Sequence, residues 1–300
     1  MSVTGEMPEV APGPDAGGFR GPTWIGTDPL PEPRRLGPLD WARVAVRAFA
    51  LLVVLFGGMA VLLAIRLVEA PLAGLRRPVT AHIPQIAFVA ACRIVGLRRT
   101  VRGRPIEGVG AAVANHASWL DIFALGASDR VIFVAKAEVA RWPGIGWLAR
   151  GAGTLFFRRD RAEAVQQAAE LVERIALGQR PLFFPEGTSS DGARVLRFKP
   201  TLFASLLDPR VKGAAQVQPI TVEYEAPPGL DPRVYAWWGD MDFAPHFLQV
   251  LALPRQGRVT VTYHPPRRVS DMADRKALAA ACEDDVRAGL GGAGFGRETG

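Results

Sequence analysis

Cysteine is scarce in this sequence: Cys92 and Cys282 are the only two in 300 residues, far apart and in no CxxC or Cys/His cluster. That excludes a disulfide scaffold and any recognisable zinc site, and it suits a reducing compartment. Acidic residues are also in deficit, 29 against 36 Lys and Arg, for a formal net charge of +7 and an isoelectric point near 10.1. Such an excess suits nucleic acid or an anionic membrane surface. No basic run interleaves with aromatics, so the sequence gives no sign of nucleic-acid stacking. A Gly-x-Ser-x-Gly elbow is absent, and with it the usual sign of a covalent acyl-enzyme. There is no internal repeat. No secretory signal is expected, because the first apolar segment comes late and no small-residue cleavage pattern follows it.

Apolar residues, by contrast, are abundant. They make up 49% of the chain, with a mean hydropathy of +0.12, high for a wholly soluble enzyme. Residues 1–38, rich in Pro and Gly, read as a flexible tail. Ala48 to Ile65 then runs 18 residues without a charge, between Arg43/Arg47 and Arg66. At 1.5 Å per residue it covers about 27 Å, enough to cross a hydrocarbon core. Gly57-Gly58 in its middle allows close packing or a bend, and Pro71 and Gly74 are expected to break the chain. A less apolar stretch, Ile83 to Leu97, follows and ends at Arg98-Arg99. Two readings stand: a single span, or a hairpin dipped into one leaflet with arginines at the headgroups.

From about Arg102 strand-like and helical runs alternate. Strands are expected at 111–114, 131–135, 154–157, 181–184, 217–224 and 258–263. The clearest helix is 161–177, with Asp160 and Glu163 as a capping box and Gly178 as its stop. Another is 272–290, after Ser270/Asp271. The alternation predicts an α/β fold: a mixed, mostly parallel sheet flanked by helices, behind an N-terminal membrane-anchoring helical segment. The partition is a tail (1–38), a membrane-anchoring hairpin (39–100), a catalytic domain (101–290) and a loose end (291–300).

The chemistry gathers at Asn115-His116-Ala-Ser-Trp-Leu-Asp121. On one continuous helix Asp121 would point about 140° away from His116. The pair works if His116 sits in a turn and a helix begins near Ser118, so that the carboxylate reaches back. It would then hold one imidazole nitrogen and leave the other free to take a proton from a hydroxyl. A second block follows at Phe183-Phe-Pro185-Glu186-Gly187-Thr188.

Together and in this order, Asn-His-x4-Asp and Phe-Pro-Glu-Gly-Thr resemble the glycerolipid acyltransferase family that acylates lysophosphatidic acid. The resemblance covers 101–224. It includes Gly153-x-x-Phe156-x-x-Arg159 and a Val217-x-Pro219-Ile220 strand. It implies His116 and Asp121 as the catalytic pair, with Asn115, Arg159, Glu186, Gly187 and Thr188 binding substrate. Arg159 is expected to seat the phosphate. No metal or organic cofactor is implied; acyl-CoA or acyl-carrier protein is the co-substrate and a lysolipid the acceptor. The expected place is the inner cell membrane, on an anionic surface, with the catalytic domain on the cytoplasmic side and no nucleic-acid partner. The family often has an arginine after the Thr, where this chain has Ser189-Ser190-Asp191-Gly192. Arg194, Arg197 and Lys199 are candidates to replace it. The departure resembles the lyso-ornithine lipid branch, so two acceptors stay open: lysophosphatidic acid, the family default, and lyso-ornithine lipid. A hydrolase using Ser118 and a non-catalytic membrane-binding protein are the rivals. Trp237-Trp238 with Pro245-His246 is expected to pack, and His82 and His264 to be structural.

Overall fold

The computed structural model describes residues 24–26, 29–158, 160 and 162–291. Its elements in chain order are α1 (Pro38–Ala73), α2 (His82–Val95), β1 (Arg98–Arg102), β2 (Gly110–Ala114), α3 (Leu120–Ser128), β3 (Ile132–Lys136), α4 (Ile145–Ala152), β4 (Leu155–Phe157), α5 (Ala164–Ala176), β5 (Pro181–Phe183), α6 (Pro209–Lys212), β6 (Gln216–Glu225), α7 (Phe243–Ala252), β7 (Arg258–Tyr263), β8 (Arg267–Arg268) and α8 (Arg275–Gly289). The sheet order is β1-β7-β6-β2-β5-β3-β4, with β8 against β6. Pairing is parallel throughout except β6–β7 and β6–β8. The expected mixed, mostly parallel sheet is what forms.

Central β2 is buried at every position, as a strand covered on both faces must be. Its alternation divides the core. Ala112 and Ala114 face a layer containing Leu51 of α1, Ala91 of α2, Leu125 of α3 and Leu251 of α7. Ala111 and Val113 face Leu171 and Ile175 of α5, Val211 of α6 and Leu278 of α8. The result is a three-layer sandwich whose β2, β5, β3 and β4 share one carboxyl-terminal edge, where ligands of parallel α/β sheets bind.

α1 is one helix of 36 residues, about 54 Å long, so Pro71 lies inside its last turn instead of breaking the chain. The carbonyl that proline leaves free is Leu67's, close to the helix end; the helix stops at Gly74, whose N–H bonds Ala70. Val44, Leu51, Leu62 and Glu69 form its buried stripe. Along that stripe Arg47 donates to the Leu251 and Leu253 carbonyls at the end of α7, both at 2.7 Å. Ala87 and Ile83 of α2 approach Gly58, and Met59 lies against Gly151 of α4. Leu52, Val53, Leu63 and Leu67 on the opposite side are exposed. α1 is long and apolar enough to cross a membrane, yet it is packed on the rest of the chain along most of its length.

Two helix starts differ from expectation. α5 begins at Ala164, because Asp160 accepts from Ala162 N–H two residues on and Glu163 turns to Arg158 and Gln167. The box does not form. α8 is capped by Asp274, which accepts from the Lys276 and Ala277 amides, not by Ser270 or Asp271.

Candidate active site

The chain leaves β2 at Ala114, and Asn115 completes the strand with its side chain. Its amide donates to the Val222 carbonyl at 2.9 Å and accepts from the Val222 N–H at 2.8 Å, both bonds of a ladder pair. Asn115 is fully buried. It locks the end of β2 to β6, with both ends of its amide engaged by Val222; its expected place was at the substrate.

His116 follows in the turn. Its Nδ1 lies 2.7 Å from Asp121 Oδ2. The same oxygen accepts from the Ala117 and Ser118 amides at 2.9 and 3.0 Å. α3 begins at Leu120, so the carboxylate points back along its first turn, as the five-residue spacing required. With Nδ1–H donating to a carboxylate, the lone pair sits on Nε2. Nε2 carries no hydrogen bond among the described residues. The side chain is 20% exposed, and its ring stacks on Phe184 at 4.1 Å between centroids.

Tyr224, in β6, meets the pair and was not singled out by sequence reasoning. Its hydroxyl donates to Asp121 Oδ1 at 2.8 Å. Burial, with the Asp121 carboxylate beside it, holds the phenol far above its usual range, so it keeps its proton. Alternation along the strand placed Tyr224 with Ile220 and Val222, but no local signal tied that face to Asp121.

The second block grips the first from below. Glu186 Oε1 accepts from the His116 N–H at 2.7 Å, and Oε2 from the Leu196 N–H at 2.9 Å. Burial pushes this carboxyl up to about 8, against the pull of the two amides toward the anion. Both oxygens are engaged by main chain and the residue is buried, so Glu186, expected at the acceptor, holds the backbone under His116. Ser190 N–H donates to the His116 carbonyl at 2.8 Å. Gly187 has φ +73°, a left-handed conformation that calls for glycine; the nearest atom to a β-carbon there would be the end of the exposed Lys199 side chain. Thr188 is half-buried, its hydroxyl 3.4 Å from Trp24 N.

Of the candidate cations, exposed Lys199 lies against Gly187, Arg194 pairs with Asp191 at 2.9 Å and stacks over Trp24, and Arg197 is exposed. Arg159 lies outside the described residues. Ser118 is fully buried and its hydroxyl accepts from Leu120 N–H, which leaves a Ser118 nucleophile without access to substrate. The 237–246 region packs as expected: Trp237 meets Trp142 and Phe243, and its N–H bonds the Ala117 carbonyl. His246 accepts from Trp119 Nε1 at 3.0 Å, and burial pushes it down to about 4. His264 bonds Thr221 and His82 contacts Arg130, both structural.

A buried carboxylate holding one imidazole nitrogen, with the other open at the ligand-binding edge of the sheet, is the equipment of a general base. Comparisons with known proteins bear on the family. The acyltransferase family profile matches residues 98–223. The lyso-ornithine lipid O-acyltransferase of Rhodobacter capsulatus is 51% identical over 272 residues, 90% of this chain and 98% of that protein. The 1-acyl-sn-glycerol-3-phosphate acyltransferase of Neisseria gonorrhoeae is 41% identical over 115 residues, 37% of this chain and 45% of that one. In fold, the chain is similar to the crystal structure of the 1-acyl-sn-glycerophosphate acyltransferase PlsC of Thermotoga maritima. The TM-score is 0.59 at 21% identity, over 84% of this chain and 94% of that one. This chain belongs to the acyltransferase family.

Proposed function

We propose that the chain moves a fatty acyl group from an acyl thioester to the free hydroxyl of a lysolipid, with lyso-ornithine lipid as its principal acceptor. The observation that carries the chemistry is the 2.7 Å His116–Asp121 contact with Nε2 left open. His116 Nε2 takes the acceptor's hydroxyl proton as its oxygen bonds the thioester carbonyl carbon. The tetrahedral intermediate then collapses, the C–S bond breaks, and the leaving thiolate recovers the proton from the imidazolium. No covalent acyl-enzyme is needed. Similarity across 98% of the Rhodobacter protein supports the acceptor. Lysophosphatidic acid is the second reading, supported by the Neisseria relative. The donor is acyl-CoA or acyl-carrier protein; an excess of positive charge suits either, since both are anionic.

We infer further that α1 and α2 lie in one leaflet of the inner membrane on its cytoplasmic side. A stripe of α1 is covered by the catalytic domain and the opposite side is apolar and exposed, the arrangement of an interfacial anchor.

The test is thioester-dependent acyl transfer by membranes carrying wild type or His116→Ala, with each acceptor supplied separately. Loss of about 10²–10⁴-fold in the variant is expected. Equal activity in the two proteins would overturn the mechanism.

A further inference from the structure

A cavity of about 470 Å³ opens at the ends of β3 and β4, beside the catalytic pair and not at it. Strand order β2-β5-β3-β4 puts β4, whose Phe156 and following Arg158 line it, three strands along the same edge from β2 and His116, about 14 Å at the usual spacing. One wall carries three guanidinium groups, Arg141, Arg150 and Arg158. The rest of the lining comes largely from α5 and its N-cap, with Glu163, Gln166, Gln167 and Glu170. Those positions fall at i, i+3, i+4 and i+7, a single helix face. Arg158 and Glu163 meet at 2.8 Å, and Glu170 stands 3.5 Å from Arg174, a longer contact that leaves its exposed carboxylate room for a second cation. Arg141 and Arg150 make no ion pair among the described residues, and Arg150 stands 5.9 Å over the Phe156 ring. The cavity also borders the apolar surface: α4, which bears Arg150, packs on α1 through Gly151 and Met59, and its Trp147 is 67% exposed.

Walls of opposite charge choose a ligand of both charges. A phosphate monoester would bring two negative charges to a cavity whose α5 side is acidic. We propose that this cavity seats a zwitterionic amino-acid headgroup, its carboxylate on the arginine wall and its ammonium on the α5 carboxylates. Guanidinium binds carboxylate through paired N–H donors, a geometry phosphate shares, so discrimination between acceptors falls to the glutamates. This rests on lyso-ornithine lipid being an acceptor: ornithine acylated on one amine keeps one carboxylate and one ammonium. The lysolipid would reach the cavity from the neighbouring leaflet with its hydroxyl toward His116.

The experiment measures kcat and KM of the full-length protein for lyso-ornithine lipid, its carboxyl methyl ester and lysophosphatidic acid, comparing wild type with Glu170→Gln and Arg150→Gln. Both groups are exposed, so each is expected to shift KM about fivefold, the size of a solvent-screened ion pair, with kcat within twofold. Glu170→Gln should raise KM for lyso-ornithine lipid and its ester but lower it for lysophosphatidic acid. Arg150→Gln should raise KM for lyso-ornithine lipid and lysophosphatidic acid but leave that of the ester unmoved. Glu170→Gln shifting all acceptors alike, or neither variant shifting KM for lyso-ornithine lipid, would overturn the headgroup assignment while leaving the acceptor intact. Wild type that acylates lysophosphatidic acid and not lyso-ornithine lipid would overturn the acceptor reading, and the cavity assignment with it.

Discussion

Two loops converge on His116, and they are held in different ways. The loop after β2 is organised by side chains: Asp121 collects the imidazole, two amides and the Tyr224 hydroxyl. The loop after β5 acts on main chain. Glu186 takes the His116 amide, Ser190 supplies an amide to the His116 carbonyl, and Lys199 N–H bonds the Pro185 carbonyl. The first loop sets the direction of the imidazole, and the second sets where its backbone stands. Substitutions in the first should therefore change the chemistry at constant fold, and substitutions in the second should change fold and chemistry together.

The largest effect after loss of His116 itself is expected from Asp121→Asn. The amide keeps the size of the carboxylate, and its oxygen can still meet the three donors now on Oδ2, but its NH2 then faces the Tyr224 hydroxyl and the negative charge that stabilises the imidazolium formed in the reaction is gone. kcat should fall about 10²–10⁴-fold with KM and melting temperature little changed. Steady-state thiol release checks this; a variant within tenfold of wild type would show that the pair orients nothing the reaction needs.

Glu186→Gln should be smaller in rate and larger in stability. The carboxamide can keep the His116 bond, but its NH2 then faces the Leu196 N–H and one buried bond is lost, about 1–3 kcal/mol. The pH dependence separates the two residues. A Glu186 carboxyl held at about 8 in the folded chain, against about 4.3 unfolded, makes the folded state the tighter proton binder. The contribution of Glu186 to stability is then full below about pH 4, falls as pH rises toward 8, and levels above it. That decline should disappear in Glu186→Gln; urea titrations between pH 5 and 9 give the comparison. A wild-type profile flat over this range would mean the two amides hold Glu186 as an anion after all.

The comparison also explains what could be read from the sequence. His116 and Asp121 lie five residues apart, so turn and helix geometry predict their meeting. Asn115 and Glu186 were legible as residues but not as roles, because their partners stand 107 and 70 residues away. β2, β3, β5, β6 and β7 announce themselves as apolar runs. β1, Arg98–Arg102, does not: it is an edge strand, exposed at four of five positions, and is specified by pairing with β7. Pro71 misled for a related reason. A proline breaks a helix in its interior, but near the end it frees only a carbonyl that the helix was about to lose.

Tyr224→Phe gives the smallest effect and the sharpest division between orientation and support. The ring remains, packed on Tyr235, and only the hydroxyl on Asp121 Oδ1 goes. A structural role alone predicts a stability loss of about 1–3 kcal/mol and nothing else. A role in orienting the base predicts more. With Tyr224 absent, Asp121 has three donors in place of four, all on Oδ2, and nothing fixes Oδ1, so the carboxylate aims the imidazole less firmly. kcat should fall by less than about tenfold, the size of one hydrogen bond, with KM unchanged. A kcat that stays in place while the melting temperature drops would assign Tyr224 to the core and leave the orientation of His116 to Asp121 and its two amides.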